Sequence, residues 1–87
     1  MAVAILSHKV KDYKNWKPFY EKDVKRRESA GIQEIFVGQQ KEDPNNVYMI
    51  WRIGDPGKIQ KMLDDPELKK VMDEAGVQSR PQVTIIE

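Results

Sequence analysis

The chain predicts an α+β fold in which one four-stranded sheet carries its helices on a single face. Three observations lead there. Strand-like apolar runs alternate with stripes of three-and-four spacing, the order reads strand, helix, strand, strand, broken helix, strand, and both faces of the strands carry apolar side chains. Ala2 to Val10 (AVAILSHKV) is dense in apolar residues and forms the first strand, followed by the turn and helix-start signal Lys11-Asp12. From Tyr13 the stripe Tyr13, Trp16, Phe19, Tyr20, Val24, Arg27 predicts one helix reaching Ala30, with Gly31 as its stop. Asp12 or Asn15 can cap it, and Asn15 would leave Pro18 in the first turn, where a missing amide hydrogen costs little. Ile32 to Gln40 and Val47 to Ile53 predict a hairpin around the polar loop 41–46. Asp55-Pro56 opens a helix with the face Ile59, Met62, Leu63, and Asp64-Asp65-Pro66 interrupts it. A further helix with the face Leu68, Val71, Met72, Ala75 ends at Gly76, and Gln82 to Glu87 closes the chain as the last strand.

This order is the split β-α-β arrangement of a ferredoxin-like βαββαβ sandwich. Its helices cover one sheet face and leave the other bare. In the third strand Val47, Met49, Trp51 and Ile53 point one way while Tyr48, Ile50 and Arg52 point the other, so neither side reads as wetted. A homodimer packed sheet to sheet is the simplest way to cover the second face.

With 87 residues and no linker-like stretch, residues 1–87 read as a single domain. A chain this short removes only a little over ~60% of its unfolded surface from water, which strengthens the expectation of a partner. Lys and Arg number 15 against 14 Asp and Glu, interleaved along the chain, so no basic face for nucleic acid is expected. There is no Cys, which excludes disulfides and thiolate metal or nucleophilic sites. The first apolar run is too short for a signal peptide, no membrane-spanning segment is expected, and the reading is a cytoplasmic protein.

Trp16 and Phe19 behind Asp12-Tyr13, then Ala30-Gly31-Ile32, and above all Asp65-Pro66-Glu67-Leu68 leading through Met72 to Ala75-Gly76-Val77 and Pro81, resemble the antibiotic-biosynthesis-monooxygenase-like group of the dimeric α-β barrel superfamily. The resemblance spans nearly the whole chain and rests on positions that are mainly structural. It implies sheets packed face to face in a dimer, and a range of functions that includes cofactor-independent oxygenases, haem-degrading enzymes, isomerases and cyclases. The haem-degrading branch uses a helix His as iron ligand, and the helices predicted for this chain contain none. No cofactor is expected.

His8, the single His, shares its strand face with Ala4, Leu6 and Val10, and is a candidate base or a partly buried histidine satisfied by a neighbour. A metal site there would need carboxylates to complete it, and no spacing provides them, so no metal is expected. Trp16 and Tyr20 on the first helix, with Trp51 and Tyr48 on the third strand, would wall a space for a flat ligand or simply form the core. Arg52 is an anion-holding candidate alongside His8, or the donor of a structural salt bridge. Because Trp51 points away from Arg52, these residues cannot all line one cavity, and His8, Trp16 and Tyr20 form the preferred group. The run Lys25-Arg26-Arg27 reads as a solvated helix face, and Met62 and Met72 as core filler. Two functions stay open. One is a metal-free monooxygenase, isomerase or cyclase with His8 as base and Arg52 or a Tyr as anion stabiliser; the other is a non-catalytic dimer that binds a ligand or a partner.

Overall fold

The computed structural model describes residues 2–87. Its elements are β1 (Ala2–Lys9), α1 (Tyr13–Lys22), α2 (Val24–Ser29), β2 (Ile32–Gln39), β3 (Asn46–Ile53), α3 (Pro56–Asp64), α4 (Pro66–Glu74) and β4 (Gln82–Ile86). The strands form one antiparallel sheet in the order β2-β3-β1-β4, which is the ferredoxin-like topology expected from the element order.

Short acidic caps start the helices. The Asp12 carboxylate accepts from the Lys14 amide at 3.0 Å, so α1 begins at Tyr13 and not behind Asn15. Asp55 and Asp65 accept from the amides of Gly57 and Glu67, each at 2.9 Å, and Pro56 and Pro66 follow them at positions that need no amide donor. Helix α4 ends in a complete Schellman motif. The Gly76 amide donates to the Asp73 carbonyl at 3.2 Å, the Val77 amide donates to the Met72 carbonyl at 3.0 Å, and Gly76 takes φ 84°. Gly31, at φ 73°, ends α2 in the same left-handed region.

The single helix expected from Tyr13 to Ala30 is two. Pro18 removes one backbone donor inside α1, and at Asp23 the chain leaves helical geometry, its amide turning back to the Tyr20 carbonyl at 3.2 Å. The Arg27 guanidinium donates to that same carbonyl at 2.7 Å. A side chain thus takes up backbone hydrogen-bonding capacity at the break. Val24 falls off the apolar stripe and is 44% exposed, while Arg27 stays on the inner side.

The register divides the strands cleanly. Ala2, Ala4, Leu6 and His8 of β1 lie beside Ile53, Trp51, Met49 and Val47 of β3 on the helix-covered face, with Ile32 next to Ile53. This layer meets Trp16, Tyr20, Ile59, Met62, Leu68 and Ala75 to make the core. Val3, Ile5, Tyr48, Ile50, Arg52, Phe36, Thr84 and Ile86 share the other face, which no helix covers. A bulge between Glu34 and Phe36 shifts the β2 register, so Phe36 pairs beside Ile50 on the uncovered side. No helix among the described residues is long and apolar enough to cross a membrane.

Candidate functional site

Alternation along β1 carries His8 to the helix side, and the helical period of α1 carries Trp16 and Tyr20 over it. The indole of Trp16 meets the His8 ring edge-on with centroids 5.5 Å apart, and stacks on Tyr20 at 5.0 Å. From β3 the Trp51 indole N–H donates to the Tyr20 hydroxyl at 3.0 Å, a buried bond that satisfies the indole donor and gives the hydroxyl oxygen a partner. Arg27 lies over the Tyr20 ring, its guanidinium carbon 3.7 Å from the centroid.

These side chains border a cavity of about 60 Å³ between the helices and the sheet. Leu6, Met49, Met62, Leu68 and Met72 supply its apolar wall, and His8, Asp23 and Arg27 its polar points. An apolar cavity that binds benzene measures roughly 150 Å³, so this one takes only a few atoms as it stands. Three methionines line it, and their unbranched thioether chains can repack to admit a larger body. A broader, open groove of about 690 Å³ runs outside α4 beside the segment before β4, among Lys69, Asp73, Ser79 and Arg80.

Among the described residues, the two ring nitrogens of His8 are the buried side-chain polar atoms without a hydrogen-bond partner. His8 is 5% exposed, and burial pushes its pKa down to about 4. At neutral pH the ring is therefore uncharged, with one N–H to donate and one nitrogen to accept. Burial also pushes the Tyr20 hydroxyl up to about 12. The Glu34 carboxylate adds to that rise, while the Trp51 indole and the Arg27 guanidinium oppose it. Tyr20 is a neutral hydroxyl here, neither a base nor a phenolate.

The structure brings His8, Trp16, Tyr20 and Trp51 to one cavity. It does not bring Arg52 or Tyr48 there. Both lie on the uncovered sheet face, Arg52 between Val3 and Gln33 and Tyr48 between Ser7 and Gly38, because their positions on β3 alternate with those of Met49 and Trp51. The cationic residue at the cavity is Arg27, which the run of basic neighbours disguised as a solvated face. Arg26 and Arg27 are in fact respectively part-buried and buried, Arg26 held by Asp23 and Asp65 and Arg27 by the Tyr20 carbonyl. The signal was legible in the spacing, as Arg27 falls seven positions after Tyr20 on the same stripe.

No family model matches the chain, and no curated protein does either. Solved structures do. A NIPSNAP family protein of unknown function from Agrobacterium tumefaciens superposes with TM-score 0.70 at 12% identity, covering 99% of this chain and 86% of its own. A NIPSNAP domain protein from Burkholderia xenovorans gives TM-score 0.67 at 12% identity, over 100% of this chain and 93% of the other. An antibiotic biosynthesis monooxygenase gives TM-score 0.65 at 13% identity, over 100% and 97%. With both chains covered almost end to end, this protein has the α+β fold shared by antibiotic-biosynthesis-monooxygenase-like and NIPSNAP proteins.

Proposed function

We propose that the chain is a homodimeric, monooxygenase-like protein that binds a small, flat, partly polar molecule in the cavity between α1 and the sheet, without a metal. The observation that carries this reading is His8. A buried imidazole with both nitrogens unpartnered forgoes two hydrogen bonds, each omission costing about 1–3 kcal/mol, unless something in the cavity supplies them. A ligand hydroxyl or carbonyl against His8, with its ring among Trp16, Trp51 and the methionines, removes that cost. No group of three His, Asp or Glu side chains gathers among the described residues where a metal ion could sit.

Hydrogen bonding fits His8 better than proton abstraction. An imidazole whose pKa is about 4 taking a proton from a phenol of pKa about 10 moves it uphill by roughly 6 units, or about 8 kcal/mol. Binding is therefore the primary reading. Metal-free oxygenation is the second, favoured by the fold shared with an antibiotic biosynthesis monooxygenase, and it requires the bound molecule to raise the basicity of His8. Arg52 and Tyr48 belong in either case to the uncovered face, where a second copy would meet them.

Phenol is a suitable probe, being flat with one polar group. Titrated into the protein, it should shift the Trp51 indole N–H and His8 ring resonances together and saturably in the millimolar range. His8→Ala, once shown to melt cooperatively, should bind it at least about tenfold more weakly, the loss of one hydrogen bond to a buried group. A wild-type titration without saturation, or equal affinity in the variant, overturns the proposal.

A further inference from the structure

Two adjacent arginines on α2 have opposite surroundings. Arg26 gathers three carboxylates. Its Nε contacts both oxygens of Asp23 at 3.0 and 3.2 Å, and its terminal nitrogens reach Asp65 at 2.9 Å and Glu67 at 3.8 Å. Arg27 has none within ion-pair distance among the described residues, although it is the more deeply buried of the two, at 7% exposure. Its partners are one backbone carbonyl, that of Tyr20, and the face of the Tyr20 ring. The carboxylate that shares the cavity edge with it, Asp23, is already engaged by Arg26.

A guanidinium carries five N–H donors in a planar fork, always charged, and burying it without a counter-charge is costly. The Tyr20 ring beneath it carries no formal charge, and the Glu34 carboxylate near that ring acts on the Tyr20 hydroxyl and forms no ion pair with Arg27. Arg27 also lines the cavity that His8 lines. His8 is a neutral polar point, Arg27 a cationic one, and the wall between them is aromatic and sulfur-rich.

From this contrast we propose that the cavity selects an anion: the ligand is a small aromatic or apolar acid, a carboxylate or an acidic phenolate, whose negative group pairs with Arg27. The inference rests on the binding reading above and narrows its ligand class. Arg27 is then the residue that sets specificity, through the charge that Arg26 has lost to its neighbours and Arg27 has kept. No bond is made or broken in this step.

Benzoate and benzamide are the probes, because they share a shape and differ in charge at neutral pH. The wild-type protein should bind benzoate at least about tenfold more tightly than benzamide, as expected for a charge-assisted pair in a desolvated site. In Arg27→Gln the two should bind alike; in Arg27→Lys, which keeps the charge, part of the preference should return. Should Arg27→Gln fail to fold, the wild type still decides, since benzoate and not benzamide should shift the Arg27 side-chain nitrogen resonances. Equal affinities in the wild type, or an undiminished preference in a folded Arg27→Gln, overturn the anion assignment and leave the cavity reading intact. Failure of both probes to bind overturns the two together.

Discussion

Buried among Leu6, Trp16 and the sheet, His8 cannot gain a charge without losing hydration, and that makes stability depend on pH. Its pKa is 6.5 when exposed and about 4 when folded, so between these values the unfolded chain binds the extra proton. The contribution is fully present above pH 6.5 and is lost as pH falls toward 4. A fall of 2.5 units at 1.36 kcal/mol per unit is about 3 kcal/mol at the acid end. Thermal melts of the wild type should therefore drop between pH 7 and 4 more steeply than those of His8→Phe, which has no such proton to take. Parallel pH profiles for the two would show that His8 is solvated in the folded protein. The identity of His8 as a candidate was legible from its being the single histidine on an apolar strand face. Its lack of partners was not, because a partner is a property of neighbouring elements and not of spacing along β1.

At the scale of the elements, the two glycines that end helices differ in what surrounds them. Both have positive φ, but a Cβ on Gly31 would meet nothing within 4 Å, whereas one on Gly76 would stand 3.3 Å from the Lys11 Cβ. Gly31→Ala should cost about 1 kcal/mol for the left-handed backbone alone. Gly76→Val adds a β-branched side chain to a crowded site within the Schellman turn and should cost about 2–3 kcal/mol, read as a shift in denaturant midpoint. Equal, small effects would place the end of α4 elsewhere. The caps at Asp55 and Asp65 and both glycine stops follow from local chemistry, which is why the sequence states them. The break at Asp23 does not. Tyr20, Asp23 and Arg27 settle it jointly through one shared carbonyl, and Arg26 ties the same break to the α3–α4 junction through Asp65. A stripe that spans Pro18 in its first half reads as continuous up to Gly31, and the break coincides instead with the buried Arg27 side chain sharing the Tyr20 carbonyl.

For the molecule as a whole, the uncovered sheet face sets the expectation. Ile50 sits between Ile5 and Phe36 across the strands, Ile86 flanks Val3, and Phe36 is 60% exposed. The Phe36 ring comes close to Gly38, where a Cβ would stand 2.8 Å from its Cε2, so a side chain at position 38 would displace the ring. Contiguous apolar side chains of this kind mark an interface, and a second copy of the same face is the proposed occupant. Light scattering on a sizing column at micromolar concentration should give twice the 10.1 kDa of one chain. Ile50→Asp should return it to a single chain while leaving the helix-side core and its cavity in place. A wild-type mass of one chain would refute the dimer.

The sequence by itself determined the order of the strands along the chain, the caps at Asp55 and Asp65, the glycine stops and the two faces of each strand, because each depends on residues a few positions apart. It also determined that Arg52 and Trp51 point opposite ways, since strand period is a local fact. Only the tertiary structure decided that the cation lining the same cavity as His8 is Arg27, that its neighbour Arg26 holds the carboxylates, and that three methionines line the same space. Those facts depend on where α2 and α4 come to rest against the sheet. That placement follows from burial summed over the whole core, a quantity no short window of residues contains.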